Sequence, residues 1–143
     1  MPHKALFDRV QASFDRQGLM RHLGARLLRV EPGLCELALP YSDKVTQQQG
    51  GFHGGAIGAL ADIAAGYAAL TQAPEGMEVT SVEYKINFLA AFQGGELRAV
   101  GRVVKAGRRI IVATADVVHM DAAGKTTACA VMQQTVMPVP KTY

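Results

Sequence analysis

One segment dictates what this chain can fold into. From Gln47 the sequence passes through a polar, glycine-rich stretch, Gln47-Gln48-Gln49-Gly50-Gly51-Phe52-His53, into a run over 54–71 built almost wholly of alanine, glycine and aliphatic residues. Between His53 and Glu75 the only ionisable group besides the Tyr67 phenol is Asp62. A segment that is apolar all round is expected to be a helix buried on most sides. Its small residues let neighbouring backbone approach closely. A lone carboxylate in such a setting is unfavourable unless it is hydrogen-bonded, paired or used in chemistry. The run is long enough to suggest a membrane span, but Asp62 at its middle, four glycines and few large side chains predict a core helix instead.

The remainder of the chain supports one domain over residues 1–143, long enough for a sizeable core. Charged residues make up 19% and apolar residues 49%, the balance of an ordinary globular protein rather than a disordered one. A net charge of +3 is too small to argue for nucleic acid, yet suits anionic small molecules. Cys35 and Cys129 have no metal-ligand spacing and read as buried, reduced thiols. With no apolar leader in the charged first sixteen residues, a cytoplasmic protein that binds no membrane is expected.

Leu6, Val10 and Phe14 recur at intervals of four, predicting an amphipathic N-terminal helix over about 3–18 closed by Gly18. Two short strands, 24–31 and 34–41, flank the turn Glu31-Pro32-Gly33. The central helix over about 54–71 ends before Ala73-Pro74-Glu75-Gly76. Period-two alternation then marks a strand through Val82, Tyr84, Ile86 and Phe88. Further strands are expected at 96–105, 109–118 and 126–137, with turns at 93–95, 106–108 and 121–124, and a tail from Pro138 that leaves the sheet. The fold class is α+β, an antiparallel sheet wrapped around one long central helix.

The pattern Gln47-x5-His53-Gly54-Gly55-x6-Asp62, together with Val79-Thr80-Ser81-Val82-Glu83-Tyr84-Lys85-Ile86-Asn87-Phe88 and Gly101-Arg102-Val103-Val104-Lys105-Ala106-Gly107-Arg108, resembles the hot-dog-fold acyl-CoA thioesterases of the phenylacetate-pathway type. The resemblance covers about residues 20–137. It implies hydrolysis of an acyl-CoA thioester to a carboxylic acid and free CoA, with neither metal nor cofactor. It further implies that Gln47 and the Gly54 N–H polarise the carbonyl and that Asp62 is the base for water or the nucleophile. By the same resemblance, His53 orders the loop or takes part directly, and Ser81 orients the water. Gly55 and Asn87 fall within the resembling segments and are candidates for substrate binding.

The chemistry of the motif can be followed on its own. Gly54 and Gly55 fall where the central helix begins, with free N–H groups and the positive end of the helix dipole. Glycine lets a substrate oxygen approach those donors, as an oxyanion site requires. Asp62 lies eight residues on, about 12 Å along the helix axis at 1.5 Å per residue. A carbonyl held at Gly54 is out of its reach, so the motif predicts a homodimer whose antiparallel helices place Gly54 of one subunit near Asp62 of the other. Two such dimers joining into a tetramer is the further expectation. Strict alternation puts Thr80, not Ser81, on the face shared by Val82 and Tyr84. Unless a bulge intervenes, Thr80 is the better-placed hydroxyl.

Lys105, Arg108 and Arg109 flank the Gly107 turn and suit the phosphates of coenzyme A, although each alone is equally read as a solvated charge. Two other readings compete. A non-catalytic acyl-CoA-binding module fits the fold but not Asp62, whose loss would stabilise a mere binder. An acyl-CoA hydratase or dehydratase usually pairs a His with an acid at other spacings than those found here.

Overall fold

The computed structural model describes residues 2–143. Ten elements follow one another: α1 (Lys4–Phe14), α2 (Gly18–Leu23), β1 (Arg26–Glu31), β2 (Leu34–Pro40), a 3-10 turn (Asp43–Val45), α3 (Gly54–Leu70), β3 (Met77–Phe88), β4 (Glu96–Ala106), β5 (Ile111–Met120) and β6 (Thr126–Pro140). The six strands form one antiparallel sheet in the order β1-β2-β4-β5-β6-β3. That sheet curls around α3, as the all-apolar run predicted.

Ala61, Ala64, Ala65, Ala68 and Ala69 are fully buried along α3, with Leu60 and Leu70. Each such leucine contributes roughly 1.5–3 kcal/mol by leaving water. Close approach is the reason for so many small residues. A Cβ on Gly101 of β4 would sit 2.3 Å from the Ala64 carbonyl oxygen, so no side chain fits there. At the far end of α3, the Thr71 hydroxyl donates to the Ala68 carbonyl (2.6 Å) and accepts from the Gly33 N–H (2.7 Å), tying the helix to the β1–β2 turn.

Three expectations need correction. The N-terminal helix stops at Phe14, because Gln17 turns to extended backbone and Gly18 opens a second short helix instead of closing the first. Gly24, at φ 82°, supplies the left-handed C-terminal residue. Strand β6 runs past Pro138 to Pro140, pairing with β3 as far as Met77. The β5 partner of β6 has already ended, at the pair Ile111 and Val136, so beyond Val136 a proline's missing donor falls on an open side. Finally, β3 and β4 are not a hairpin. Residues 89–95 cross from one side of the sheet to the other, leaving β3 as an unpaired edge.

Candidate active site

The loop that carries Gln47 and His53 rests on aromatic rings. Phe92, in the crossing segment, stacks on His119 of β5 with centroids 4.4 Å apart, and Phe52 meets His119 edge-on at 6.2 Å. His119 Nε2 bonds the Gly94 carbonyl at 2.9 Å, Phe52 N–H donates to the Phe92 carbonyl at 2.9 Å, and Tyr41 donates its hydroxyl to the Gly50 carbonyl. Within the loop, the Gln49 N–H donates to Gln47 Oε1. That leaves the Nε2 end of the Gln47 amide, beside Gly51, as the donor.

His53 is the N-cap of α3. Its Nδ1 accepts the Gly55 N–H at 2.8 Å, and its carbonyl accepts the N–H groups of Ala56 and Ile57, both at 3.0 Å. Three of the first four helical N–H groups are thus bonded to His53. The Gly54 N–H is the remaining one, at the positive end of the helix. The cap bond occupies Nδ1, so His53 orders the loop and helix start. Gly55 serves the cap.

One face of α3 carries Gly54, Gly58, Asp62 and Gly66, four residues apart and so aligned along the helix. Strand β3 lies over this face. A Cβ on Gly54 would be 3.2 Å from the Phe88 ring, and one on Gly58 would be 3.1 Å from the Tyr84 hydroxyl. Val79 and Ile86 of β3 also pack inward, and Ser81 lies on the same face. A bulge makes this possible: Ser81 pairs with Val136 and Glu83 with Thr135, so Val82 is an extra residue that shifts the alternation by one. Thr80, paired with the exposed Met137, is turned to the other side.

The bulge delivers Ser81 to Asp62. Ser81 Oγ donates to Asp62 Oδ1 at 2.6 Å, and Gln134 Nε2 of β6 donates to the same oxygen at 2.6 Å. Oδ1 is therefore doubly held, while Oδ2 takes no hydrogen bond among the described residues and the carboxylate is half-buried. Charge-assisted bonds of this kind are about twice as strong as neutral ones. They make an acid tolerable in an apolar helix.

A helix with an N-terminal donor, a tethered carboxylate two turns on and an antiparallel sheet around both can now be compared with known proteins. Residues 49–124 match the family model of the thioesterase superfamily. The chain belongs to that superfamily. A thioesterase family protein from Silicibacter pomeroyi has a crystal structure that superposes with a TM-score of 0.90 at 38% identity, covering 95% of this chain and 99% of the other. A candidate esterase of Saccharolobus solfataricus is 33% identical over 79% of each chain. The Escherichia coli PaaI protein, from the phenylacetic acid degradation operon, superposes with a TM-score of 0.82 over 96% of this chain and 95% of its own. Its 22% identity supports likeness of fold alone. The fold of this thioesterase is the hot-dog fold.

The structure gathers Asp62 and Ser81 into one cluster and His53, Gly54 and Gly55 into another about 12 Å away along α3, with the Gln47 amide beside Gly51 in the preceding loop. Other candidates stand apart from both. Asn87 accepts from Lys85 Nζ at 2.8 Å and faces the outer side of the sheet, opposite Val131. Lys105, Arg108 and Arg109 are exposed on the β4–β5 hairpin, closed by Gly107 N–H on the Ile110 carbonyl, beyond the C-terminal half of α3. Sequence reasoning missed Gln134. Its signal is there in retrospect, since Ala130, Met132, Gln134 and Val136 alternate inward and all are buried, so Gln134 is a polar group at a core position. Cys35 and Cys129 are buried, and burial pushes both thiols up, Cys35 to about 12. A thiol so placed is a poor nucleophile. Among the described residues, no three metal-ligating side chains cluster, and no helix is long and apolar enough to cross a membrane.

Proposed function

We propose that this thioesterase hydrolyses acyl-CoA thioesters in sites shared between two subunits. The observation that carries the reading is Asp62, a carboxylate tethered through one oxygen by Ser81 and Gln134 on the face that begins with the Gly54 N–H, which has no partner among the described residues. The thioester carbonyl accepts hydrogen bonds from the Gly54 N–H and Gln47 Nε2 of one subunit. Asp62 Oδ2 of the other takes a proton from water as its oxygen attacks the carbonyl carbon. Charge builds on the carbonyl oxygen, which in this reading the two donors hold. Collapse of that intermediate breaks the C–S bond and releases the carboxylic acid and CoA, which leaves with the proton. The same atoms serve a second route, in which Asp62 attacks the carbonyl itself and water then opens the anhydride.

The open β3 edge supports the dimer. It is twelve residues long and bears exposed Val82, Tyr84 and Phe88, a combination that invites pairing with a second copy. Antiparallel pairing of two β3 edges brings the two α3 helices side by side, with Gly54 of each near Asp62 of the other. The Lys105, Arg108 and Arg109 hairpin is assigned to the CoA phosphates, and Val104, Ile110 and Val131, exposed on the sheet and its hairpin, to a contact between dimers. Release of free thiol from a panel of acyl-CoAs by wild type and Asp62→Asn tests the reading. Turnover that collapses in the variant is expected. A folded wild type that binds CoA esters and cleaves none would replace hydrolysis with binding alone.

A further inference from the structure

The inward face of β5 reads Ile111, Ala113, Ala115, Val117 and then His119, an aliphatic row that ends in an imidazole. All five side chains are buried, with His119 6% exposed. An aliphatic residue would continue the row without taking a polar ring out of water. The imidazole is therefore there for a contact that an aliphatic group cannot make.

That contact lies on the segment that crosses between β3 and β4. A carbonyl can only accept, so His119 Nε2 carries a proton and donates it to the Gly94 oxygen at 2.9 Å. The face of the ring lies flat on Phe92, 4° from parallel. Gly94 and Gly95 have φ of 67° and 61°, in the left-handed region that glycine tolerates. A Cβ on Gly95 would collide with the Met120 carbonyl oxygen and sit 3.1 Å from His119 Nε2. The segment thus comes close to the imidazole because that position has no side chain, and His119 grips it at Phe92 and Gly94 together.

From Phe92 the contacts run on to Gln47. The Phe92 carbonyl accepts the Phe52 N–H and lies against Gly51, where a Cβ would be 3.2 Å from that oxygen and 3.2 Å from Gln47 Nε2. Gly51 is buried, and its carbonyl accepts the Gln47 N–H at 2.9 Å. Next to Phe92, Gln93 donates from Nε2 to the Gln49 carbonyl at 3.3 Å. A shift of Phe92 would therefore carry Gly51 and the Gln47 amide with it. The start of α3 is held separately, by the His53 cap and by the His53 N–H on the Val45 carbonyl at 2.7 Å. Asp62 is tethered by another set again, Ser81 and Gln134.

We propose that His119 is a positioning residue for Gln47: by pinning Phe92 and Gly94 it fixes the Gln47 Nε2 donor where the thioester carbonyl is bound. The inference rests on the acyl-CoA reading above, in which Gln47 is one of the two donors to that carbonyl. A displacement of about 1 Å at a reacting group can cost about 10²-fold, and His119 acts at one remove, so a smaller loss is expected.

Two substitutions test it. His119→Leu continues the apolar row and loses both the bond and the flat stack. His119→Gln keeps an Nε2 donor at similar reach and a flat amide to lie on Phe92. Thiol release is followed with the best-cleaved of phenylacetyl-CoA, hexanoyl-CoA and acetyl-CoA, and melting temperatures are taken in parallel. His119→Leu should lower kcat about tenfold with KM within about twofold, and His119→Gln should stay within about threefold of wild type. Stability should run the other way, the Leu variant melting no lower than the Gln variant, whose amide buries a further polar atom. A role in filling the core would put activity and stability in the same order. The His119→Leu loss should recur in a Ser81→Ala background and shrink below about twofold in Gln47→Ala, where the group it positions is gone. A loss of the same size in all three backgrounds, a Leu variant as active as wild type, or a Gln variant no better than Leu would overturn the proposal and leave the thioesterase reading standing. A folded wild type that cleaves none of the three esters would overturn both.

Discussion

The two halves of the site are built in different ways. At the start of α3, Gln47, His53 and Gly54 belong to one short stretch of chain, and the useful donor is backbone. In the middle of the helix, Asp62, Ser81 and Gln134 come from three elements far apart in sequence, and every group is a side chain. The first half is made by local capping: His53 binds three of the first four N–H groups and leaves the fourth. The second is made by tertiary structure, since Ser81 reaches Asp62 only because Val82 is bulged. Backbone donors are rigid and tolerate changes around them, whereas a carboxylate held by two neighbours depends on each.

Substitutions can sharpen that contrast. Asp62→Asn removes the charge with little change of shape, and a loss of about 10²–10⁴-fold in kcat is expected from loss of a general base. Gly54→Pro deletes the proposed oxyanion donor at the first helical position, where proline is tolerated, and after His53, whose extended backbone (φ −69°, ψ 135°) suits a following proline. It should cost about 10²–10³-fold in kcat, and because its Cβ pushes the exposed Phe88 ring aside, a fall of a few degrees in melting temperature is expected with the fold retained. Gln134→Leu and Ser81→Ala each remove one bond to a charged oxygen and should lower kcat by about 10–100-fold, with the double variant falling short of the product of the two because both act on Oδ1. Thr80→Ala should change kcat less than about twofold, since its hydroxyl points away from α3. A Thr80 effect as large as that of Ser81 would mean that the bulge is misplaced. Single-turnover hydrolysis in ¹⁸O-labelled water separates the two routes: label should enter the Asp62 carboxylate only if Asp62 attacks.

Much of the fold was legible because its signals are local. The Ala- and Gly-rich run around one acid gave the buried helix, alternation gave β3, and Gly107 gave the β4–β5 turn. What stayed hidden depends on pairing. Gln93-Gly94-Gly95 looks like a hairpin turn, and nothing in those residues says that the strand before it lies at the opposite edge of the sheet. The reach of β6 past Pro138 depends on where β5 ends. The choice between Ser81 and Thr80 turned on a bulge, which inserts one residue without any glycine or proline to mark it. Gln134 was legible in principle, as a polar residue at an inward position of β6, but its purpose shows only when Asp62 stands beside it.

Sharing of the site between subunits is the claim on which the rest depends, and mixed dimers test it directly. Asp62→Asn and Gly54→Pro chains, each inactive alone, can be co-expressed with different affinity tags and the mixed dimers purified through both. One site in such a dimer pairs an intact Gly54 with the partner's intact Asp62, so activity should return to about half that of wild type per dimer. Mixed dimers that form, stay folded and remain as inactive as either parent would contradict the shared site and place both halves of the chemistry within one chain.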